Sequence, residues 1–167
     1  MAIIQIPDTF SIECPPSPVA GARITLCGEA PGRQEVAWRC CPSCNYGLDR
    51  PGNCPNCHLP LVYKPQGFVG GSGRILERML KHAGINFTSC NRTNVVKRRP
   101  SSDEFGIFYH DPKERLHPTK ELEWWHQLLY AEISRYRPNV LVAVGSEALK
   151  AFCSKCTGIT KWQGSLL

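Results

Sequence analysis

Three short runs of β-branched and other apolar residues stand out along the chain. They are bounded by polar or glycine-bearing stretches, which is typical of β-strands. The third run, Asn-Val-Leu-Val-Ala-Val-Gly, is apolar throughout its interior, as expected of a parallel strand covered on both faces. The predicted strands occupy residues 22–28, 92–96 and 139–145.

Between these runs the apolar residues recur every three or four positions, which predicts helices. One helix is predicted over 71–84, and another over 119–137 that must end before Pro138. A third is predicted over 147–153, with Ser146 as its N-cap. On the first helix the apolar face consists of Ile75, Leu76, Met79, Leu80 and Ala83.

The alternation of strands and helices predicts an α/β fold, a three-layer α/β/α arrangement with a central parallel sheet. Residues 38–66 lose this periodicity and are rich in Cys, Pro, Gly and Asn, so we interpret them as a small inserted module. The polar and basic segment 97–118 is predicted to be a loop. No further strand and helix are predicted after residue 153, so we expect the domain, 1–167, to be C-terminally incomplete.

The composition narrows the class of protein only moderately. A net charge of +6 over 167 residues is compatible with a polyanionic partner but does not require one. No apolar run is long enough to span a membrane, and the N-terminus lacks the pattern of a secretory signal. We therefore expect a cytoplasmic, monomeric protein that is neither secreted nor membrane-bound.

Four of the ten cysteines form two Cys-Pro-X-Cys pairs, Cys41 with Cys44 and Cys54 with Cys57. Disulfides are an alternative, but without a secretion signal this spacing favours a metal site. Two such pairs close a tetrahedral four-thiolate site, for which zinc fits best and iron is the alternative. We predict that the metal stabilises the fold of this module. The module either has only this structural role or also contacts DNA. The role of a further pair stays open: Cys153 and Cys156.

The first strand runs into the turn Gly-Glu-Ala-Pro-Gly-Arg-Gln-Glu, which carries two carboxylates, Glu29 and Glu35. In α/β sheets ligands bind at the carboxyl ends of the strands, so these groups are candidates for chemistry. Asn94 lies in the second strand, and its amide offers one donor and one acceptor to a nucleobase edge. A glycine-rich helix start and a basic run predict phosphate contacts by Gly71, Ser72, Gly73, Lys97, Arg98 and Arg99.

Several segments together resemble the uracil-DNA glycosylase superfamily, most closely its family 4 and related phage proteins. They are GEAPGRQE, GFVGGSGRILERMLKHAGI, TNVVKRRP, RPNVLVAVGSEALKAF and GITKWQGS. They occur in the order of that family and cover most of the chain outside the cysteine-rich insert. The resemblance implies a doubly wound fold with a DNA groove, and a uridine flipped out of the base stack into a pocket.

The resemblance also implies roles for individual residues. Phe68 would stack on the uracil ring, and Asn94 would pair with its O4 and N3 edge. Glu29 or Glu35 would supply a carboxylate that stabilises positive charge on the sugar and orients water. The turn that lines the pocket would include Ala30, Pro31 and Gly32.

The sequence departs from family 4 in three places. That family holds an iron–sulfur cluster on four cysteines, but Arg98 stands where one of them is expected, so we expect no 4Fe–4S cluster. The insert 38–66 is not an obligatory part of the family, and the last motif, a His-Pro-Ser-like loop, does not appear.

These observations favour a DNA glycosylase, a hydrolase of base-excision repair, acting on uracil in single-stranded or mispaired DNA. Two alternatives stay open. One is a non-catalytic module that binds DNA or a replication protein through the same fold. The other is a glycosylase for a different deaminated base.

Overall fold

The computed structural model describes residues 10–153 and 158–165. Its strands are β1 (Ile24–Gly28), β2 (Arg39–Cys40), β3 (Gly47–Leu48), β4 (Val62–Tyr63), β5 (Asn91–Asn94) and β6 (Val140–Ala143). Its α-helices are α1 (Arg33–Val36), α2 (Gly71–His82), α3 (Lys120–Tyr136), α4 (Ser146–Phe152) and α5 (Ile159–Trp162). The predicted strands and helices occur in the predicted order, whereas helices α1 and α5 and the short strands β2, β3 and β4 were not predicted.

The central sheet is parallel, with β1 between β5 and β6. The pairing of β1 with β5 continues beyond the end of β5. Val95 N donates to Gly28 O at 2.8 Å, and Val96 N donates to Glu29 O at 3.0 Å. The predicted strand over 92–96 is thus a strand as far as Asn94, and Val95 and Val96 continue its hydrogen bonding to the β1 side in a bend. Since the strands are parallel, their carboxyl ends meet at one edge of the sheet.

Helices cover both faces of this sheet. Leu26 and Cys27 are adjacent in β1 and fully buried, and they point to opposite faces. Leu26 packs with Leu80 of α2, whereas Cys27 belongs to the cluster formed by α3 and α4, which includes Trp125. The structure therefore confirms the predicted three-layer α/β/α fold.

Two sequence expectations about burial were wrong. Val140 is 47% exposed and the rest of β6 is half-buried, because β6 is an edge strand of the described sheet. On α2 only Leu76 and Leu80 face the sheet, while Ile75 and Met79 are 52% and 61% exposed. The segment 97–118 is irregular as predicted, but it also supplies core residues, among them Phe105 and Phe108.

The ends of α3 follow from its sequence. The Thr119 side chain accepts from Leu122 N at 3.3 Å, which satisfies one of the free N–H groups of the first turn. Arg137 takes a left-handed conformation with φ of 47° and ends the helix before Pro138. None of the helices in the described part of the chain is both long and apolar enough to cross a bilayer.

A buried ion pair lies between the sheet and α3. The Lys97 side chain is fully buried, and its ammonium donates to Asn94 O at 2.6 Å and lies 3.1 Å from Glu132 Oε2. The Thr93 hydroxyl donates to the same Glu132 oxygen at 2.8 Å. Burial lowers the pKa of Lys97, and the Glu132 carboxylate opposes that shift. The ammonium thus joins the end of β5 to the middle of α3.

We predict that Lys97→Ala lowers the free energy of unfolding by about 3–5 kcal/mol, because it leaves the Glu132 carboxylate buried without its counter-ion. The double variant Lys97→Met, Glu132→Leu should lose less than half as much, since it buries no unpaired charge. Urea unfolding followed by circular dichroism measures both. A single variant as stable as the parent protein would contradict this account of the pair.

Candidate active site and metal centre

A cavity of about 490 Å³ opens where the strands of the central sheet end and α2 begins. Almost every residue predicted for the pocket lines it. Pro31 is the exception in the acidic turn, because its side chain is fully buried beneath the cavity wall. The predicted residues that line the cavity are Glu29, Ala30, Gly32, Glu35, Phe68, Gly71, Ser72, Gly73 and Asn94.

Phe68 and Asn94 meet over the end of β1. A Cβ atom placed on Gly28 would lie 2.4 Å from Asn94 Oδ1 and 3.1 Å from Phe68 Cζ, so both side chains close on this glycine. Both are nearly buried, with 9% of Phe68 and 6% of Asn94 exposed. An aromatic ring and an amide from distant parts of the sequence therefore form one corner of the cavity.

The Asn94 amide faces this cavity without a protein partner. Its main-chain carbonyl accepts from Lys97, but its side chain makes no hydrogen bond to any residue that the structure describes. An amide at a cavity wall with no protein partner is open to water or to a ligand, so it is a candidate for ligand binding. A flat ligand with an adjacent acceptor and donor would satisfy it.

Glu35 fixes the position of the Phe68 loop. Its carboxylate accepts from Gly32 N at 2.7 Å and from Phe68 N. Burial raises the pKa of Glu35, and the N–H groups of Gly32, Phe68 and Val69 oppose this shift. Both carboxylate oxygens are thus occupied by main-chain N–H groups.

The conformation of Phe68 explains why this loop must be held. Its φ of 64° lies in the left-handed region, which is unfavourable for a bulky side chain. The first turn of α2 packs directly on its carbonyl, since a Cβ atom on Gly73 would lie 1.9 Å from Phe68 O. A larger residue at position 73 would therefore have to displace the Phe68 main chain.

Glu29 binds the start of α4. Its Oε1 accepts from Ser146 Oγ at 3.1 Å and from Glu147 N at 3.0 Å. The prediction of Ser146 as N-cap was wrong, because the helix already begins at Ser146 and Gly145 precedes it with φ of 106°. Within the described part of the chain Glu29 Oε2 accepts no hydrogen bond, so one oxygen of this carboxylate is available to the cavity.

The basic run after Asn94 differs from its predicted role. Lys97 as a phosphate ligand was wrong, because its ammonium is buried in the core. Arg98 forms a two-point contact with Glu121 at 2.5 and 2.8 Å, and Arg99 a similar one with Asp103 at 2.7 and 2.9 Å. Each guanidinium charge is therefore paired with a carboxylate of the same chain, the Arg99 pair at the surface.

Arg33 supplies a cation that the sequence analysis missed. It is the first residue of α1, it is exposed, and it lines the cavity. Its side chain makes no hydrogen bond or ion pair with the residues that the structure describes. The sequence position of Arg33 in the acidic turn could have indicated this role. A residue between two cavity-lining carboxylates is close to the same cavity.

The four cysteines of the inserted module converge on one point. The Sγ atoms of Cys41, Cys44, Cys54 and Cys57 all lie within 4.8 Å of one another. Metal–sulfur bonds of about 2.3 Å place the thiolates of a tetrahedral site about 3.8 Å apart. The donor set and its spacing therefore fit one metal ion bound by four thiolates.

The two Cys-Pro-X-Cys segments also share one backbone geometry. Cys41 N donates to Tyr46 O at 2.7 Å, and Cys54 N donates to Leu59 O at 2.8 Å. The residues after the second cysteines, Asn45 and His58, have φ values of 58° and 56°. The segments are thus equivalent loops, and each presents two sulfur atoms to the same point.

The small antiparallel sheet of β2, β3 and β4 holds these loops against the domain. The N–H of Tyr46 is the main cause that lowers the pKa of the Cys44 thiol to about 7, which favours the thiolate that binds metal. Of the separate pair Cys153 and Cys156, the second residue lies outside the described residues.

The amino-acid sequence of this chain is similar to those of known proteins. The family model described as the uracil DNA glycosylase superfamily matches residues 16–166. The chain is 29% identical over 144 residues to the type-4 uracil-DNA glycosylase of Thermotoga maritima, covering 86% of this chain and 56% of that protein. It is 28% identical over 124 residues to the type-4 uracil-DNA glycosylase of Archaeoglobus fulgidus, covering 74% and 44%. The chain thus spans about half the length of the curated relatives it matches.

The raised pKa of Glu35 predicts a pH dependence of stability. A carboxyl group with a higher pKa in the folded state binds a proton more tightly there, so its contribution to stability falls as the pH rises toward that pKa. Lowering the pH from 7 to about 4.5 should therefore stabilise the parent protein relative to Glu35→Gln.

Urea unfolding of the parent and Glu35→Gln over this pH range measures the difference. Glu114→Gln, which changes an exposed loop carboxylate, is the matched control and should show a constant difference from the parent. A parent protein that loses stability relative to Glu35→Gln on acidification would contradict the proposed burial of this carboxylate.

Proposed function

The chain belongs to the uracil DNA glycosylase superfamily, and from this premise we propose that it hydrolyses the N-glycosidic bond of uracil in DNA. The observation that carries the proposal is the unpaired Asn94 amide beside the Phe68 ring in one cavity. The names of the relatives, both type-4 uracil-DNA glycosylases, point to the same reaction.

In this proposal uracil enters the corner formed by Phe68 and Asn94. The ring stacks on Phe68, while Asn94 Nδ2 donates to O4 and Asn94 Oδ1 accepts from N3–H. Cytosine presents a donor and an acceptor in the reverse order, so an amide kept with Oδ1 toward Gly28 and Nδ2 toward Gly67 would be left unpaired by cytosine. The amide in this orientation therefore favours the deaminated base over the normal one.

Bond cleavage places opposite charges on the two products. The electrons of the C1′–N1 bond pass to uracil, where the Asn94 donor stabilises the charge that develops on O4. The sugar becomes positively charged at C1′, and water adds there and gives up a proton, which balances the negative charge on the released uracil. We assign Glu29 Oε2 to this side of the reaction, where the carboxylate stabilises the sugar cation and orients the water.

Glu35 has a different part in the proposal. Because its two oxygens accept main-chain N–H groups, it acts through Phe68 and not on the water. It holds the Phe68 main chain in its left-handed conformation, so that the ring is in place before the base binds. This arrangement divides the two predicted carboxylates into one catalytic residue, Glu29, and one positioning residue.

The DNA backbone would be held at the rim of the same cavity. The N-terminus of α2 carries Gly71, Ser72 and Gly73 along one wall, where free N–H groups and the helix dipole favour phosphate. Arg33 adds a further cation to the lining of the cavity. Single-stranded or mispaired DNA is the proposed substrate, since flipping a base costs least there.

We assign zinc to the four-cysteine site, with a structural role. Iron shares the tetrahedral thiolate preference and is the alternative ion. The close spacing of the four sulfurs suits a single ion, whereas the thiolates of a 4Fe–4S cluster bind four separate irons. The ion would stabilise the module, which has only a small apolar cluster around Leu61. We further propose that the protein is monomeric and intracellular.

Asn94→Ala should lower kcat/KM for uracil release by about 100-fold, because it removes a hydrogen bond that strengthens as charge develops on the base. The substrate is a single-stranded oligonucleotide with one uracil. Free uracil and alkali-sensitive abasic sites are the two measurements.

Asn139→Ala is the matched control, since Asn139 is exposed and lies away from the cavity. It should keep the parent rate. Equal uracil release by Asn94→Ala and the parent would exclude the proposed recognition. Release of hypoxanthine in place of uracil would assign the pocket to another deaminated base, and binding without any abasic product would leave a non-catalytic module.

The purified protein should contain one zinc ion per chain, measured by elemental analysis with absorption spectra that exclude an iron–sulfur chromophore. Cys44→Ser should lose most of this zinc, because three thiolates hold the ion less tightly than four. Cys90→Ser, which changes a buried cysteine outside the site, should retain it. Iron in stoichiometric amount, or zinc unaffected by Cys44→Ser, would contradict the assignment.

A further inference from the structure

A second cavity, of about 520 Å³, lies between the inserted module and the α/β domain. The module contributes one wall, which includes Trp38, Asn45 and Lys64. Helix α2, the segment before β5 and β5 itself contribute the other, which includes Arg74 and Arg92. A cavity of this size accommodates a ligand of several hundred daltons.

The walls carry more positive than negative charge. Lys64, Arg74 and Arg92 line the cavity together with one carboxylate, Glu77. The exposed side chains of Lys64 and Arg74 make no hydrogen bond or ion pair with any described residue. Two cations from two separate parts of the fold are therefore available to one anionic ligand.

Arg92 shows that the positive charge here is not fully balanced. Its guanidinium stacks on the Phe87 ring at 4.9 Å, and its two terminal nitrogens donate to the Gln66 amide oxygen at 2.6 and 3.0 Å once that amide is oriented to accept. Its Nε–H is buried and has no partner. Burial lowers the pKa of Arg92, and the charge of Glu77 only partly offsets this effect. An anion in the cavity would stabilise this buried cation.

Trp38 adds an aromatic surface beside these cations. Part of the indole rests on Gly47, where a Cβ atom would lie 2.2 Å from Trp38 Cζ2, so β3 holds the ring in place. The same side chain lines the cavity. A fixed indole next to basic side chains is the combination that binds a base together with its phosphate.

Phe68 connects this cavity with the first one, because it lines both. A DNA strand with one base stacked at Phe68 would therefore lie next to the second cavity. This contiguity favours a nucleotide of the same strand over an unrelated ligand.

We propose that the second cavity binds the base and phosphate of a nucleotide next to the flipped one, with Trp38 stacking on the base and Lys64 and Arg74 contacting the phosphate. This inference rests on the proposed function, since the strand is the one whose base enters the first cavity. It also gives the inserted module a direct part in DNA binding.

Binding of fluorescein-labelled oligothymidylate of ten nucleotides, followed by anisotropy, tests the site without requiring uracil or catalysis. Lys64→Gln, Arg74→Gln should weaken binding about tenfold in 0.1 M salt and reduce the slope of log K against log salt by about 1.4, about 0.7 for each lost phosphate contact. The control Arg78→Gln, Lys113→Gln removes the same charge at exposed positions that do not line the cavity.

Trp38→Ala should also weaken binding about tenfold, whereas Trp38→Phe, which keeps an aromatic face, should recover most of the affinity. Zinc content and far-ultraviolet circular dichroism show that each variant is folded. Equal losses for the two charge pairs, or no loss for either, would overturn the phosphate site. Equal affinity of Trp38→Ala and the parent would overturn the stacking site.

Uracil release separates this inference from the proposed function. If the parent protein releases no uracil but the binding differences appear, the second cavity stands and the catalytic proposal fails. If uracil is released and the cavity variants bind and react like the parent, the second cavity is wrong and the catalytic proposal stands.

Discussion

The structure depends on a buried ammonium group. Lys97 is taken fully out of water and placed against the carbonyl of Asn94 and the carboxylate of Glu132. A buried charge of this kind is tolerated only where its partners are fixed, so the end of β5 and the middle of α3 cannot move independently. Asn94 lies at that fixed point, and its side chain is directed by the strand into the cavity while its carbonyl is held from behind.

The other wall of the cavity is fixed by the main chain. Glu35 reaches from the acidic turn to the N–H groups of the Phe68 loop, and Gly73 lets α2 approach the Phe68 carbonyl. These contacts hold an aromatic residue in a backbone conformation that it would not adopt alone. Ring and amide are therefore in place before a ligand binds, which lowers the entropy lost on binding.

Sequence patterns were sufficient for the elements and for most of the pocket, because strand order places residues after β1 and β5 at one edge. Sequence patterns did not predict the role of a residue where that role depends on which side chain it contacts. Lys97 looked like part of a basic surface, but its partner Glu132 is 35 positions away and on another element. In the same way, the spacing of apolar residues on α2 did not show which of them the central sheet would cover. Ile75 is exposed. The cysteine spacing needed no such context, because the two metal-binding loops are local.

The most direct test of this account is a nuclear magnetic resonance titration of the protein, with its asparagine side chains labelled with ¹⁵N, by free uracil. The account predicts that the Asn94 side-chain amide signal shifts strongly downfield, that the Phe68 main-chain amide shifts with it, and that cytosine causes neither change. An Asn94 signal that stays in place while uracil perturbs residues elsewhere would contradict it.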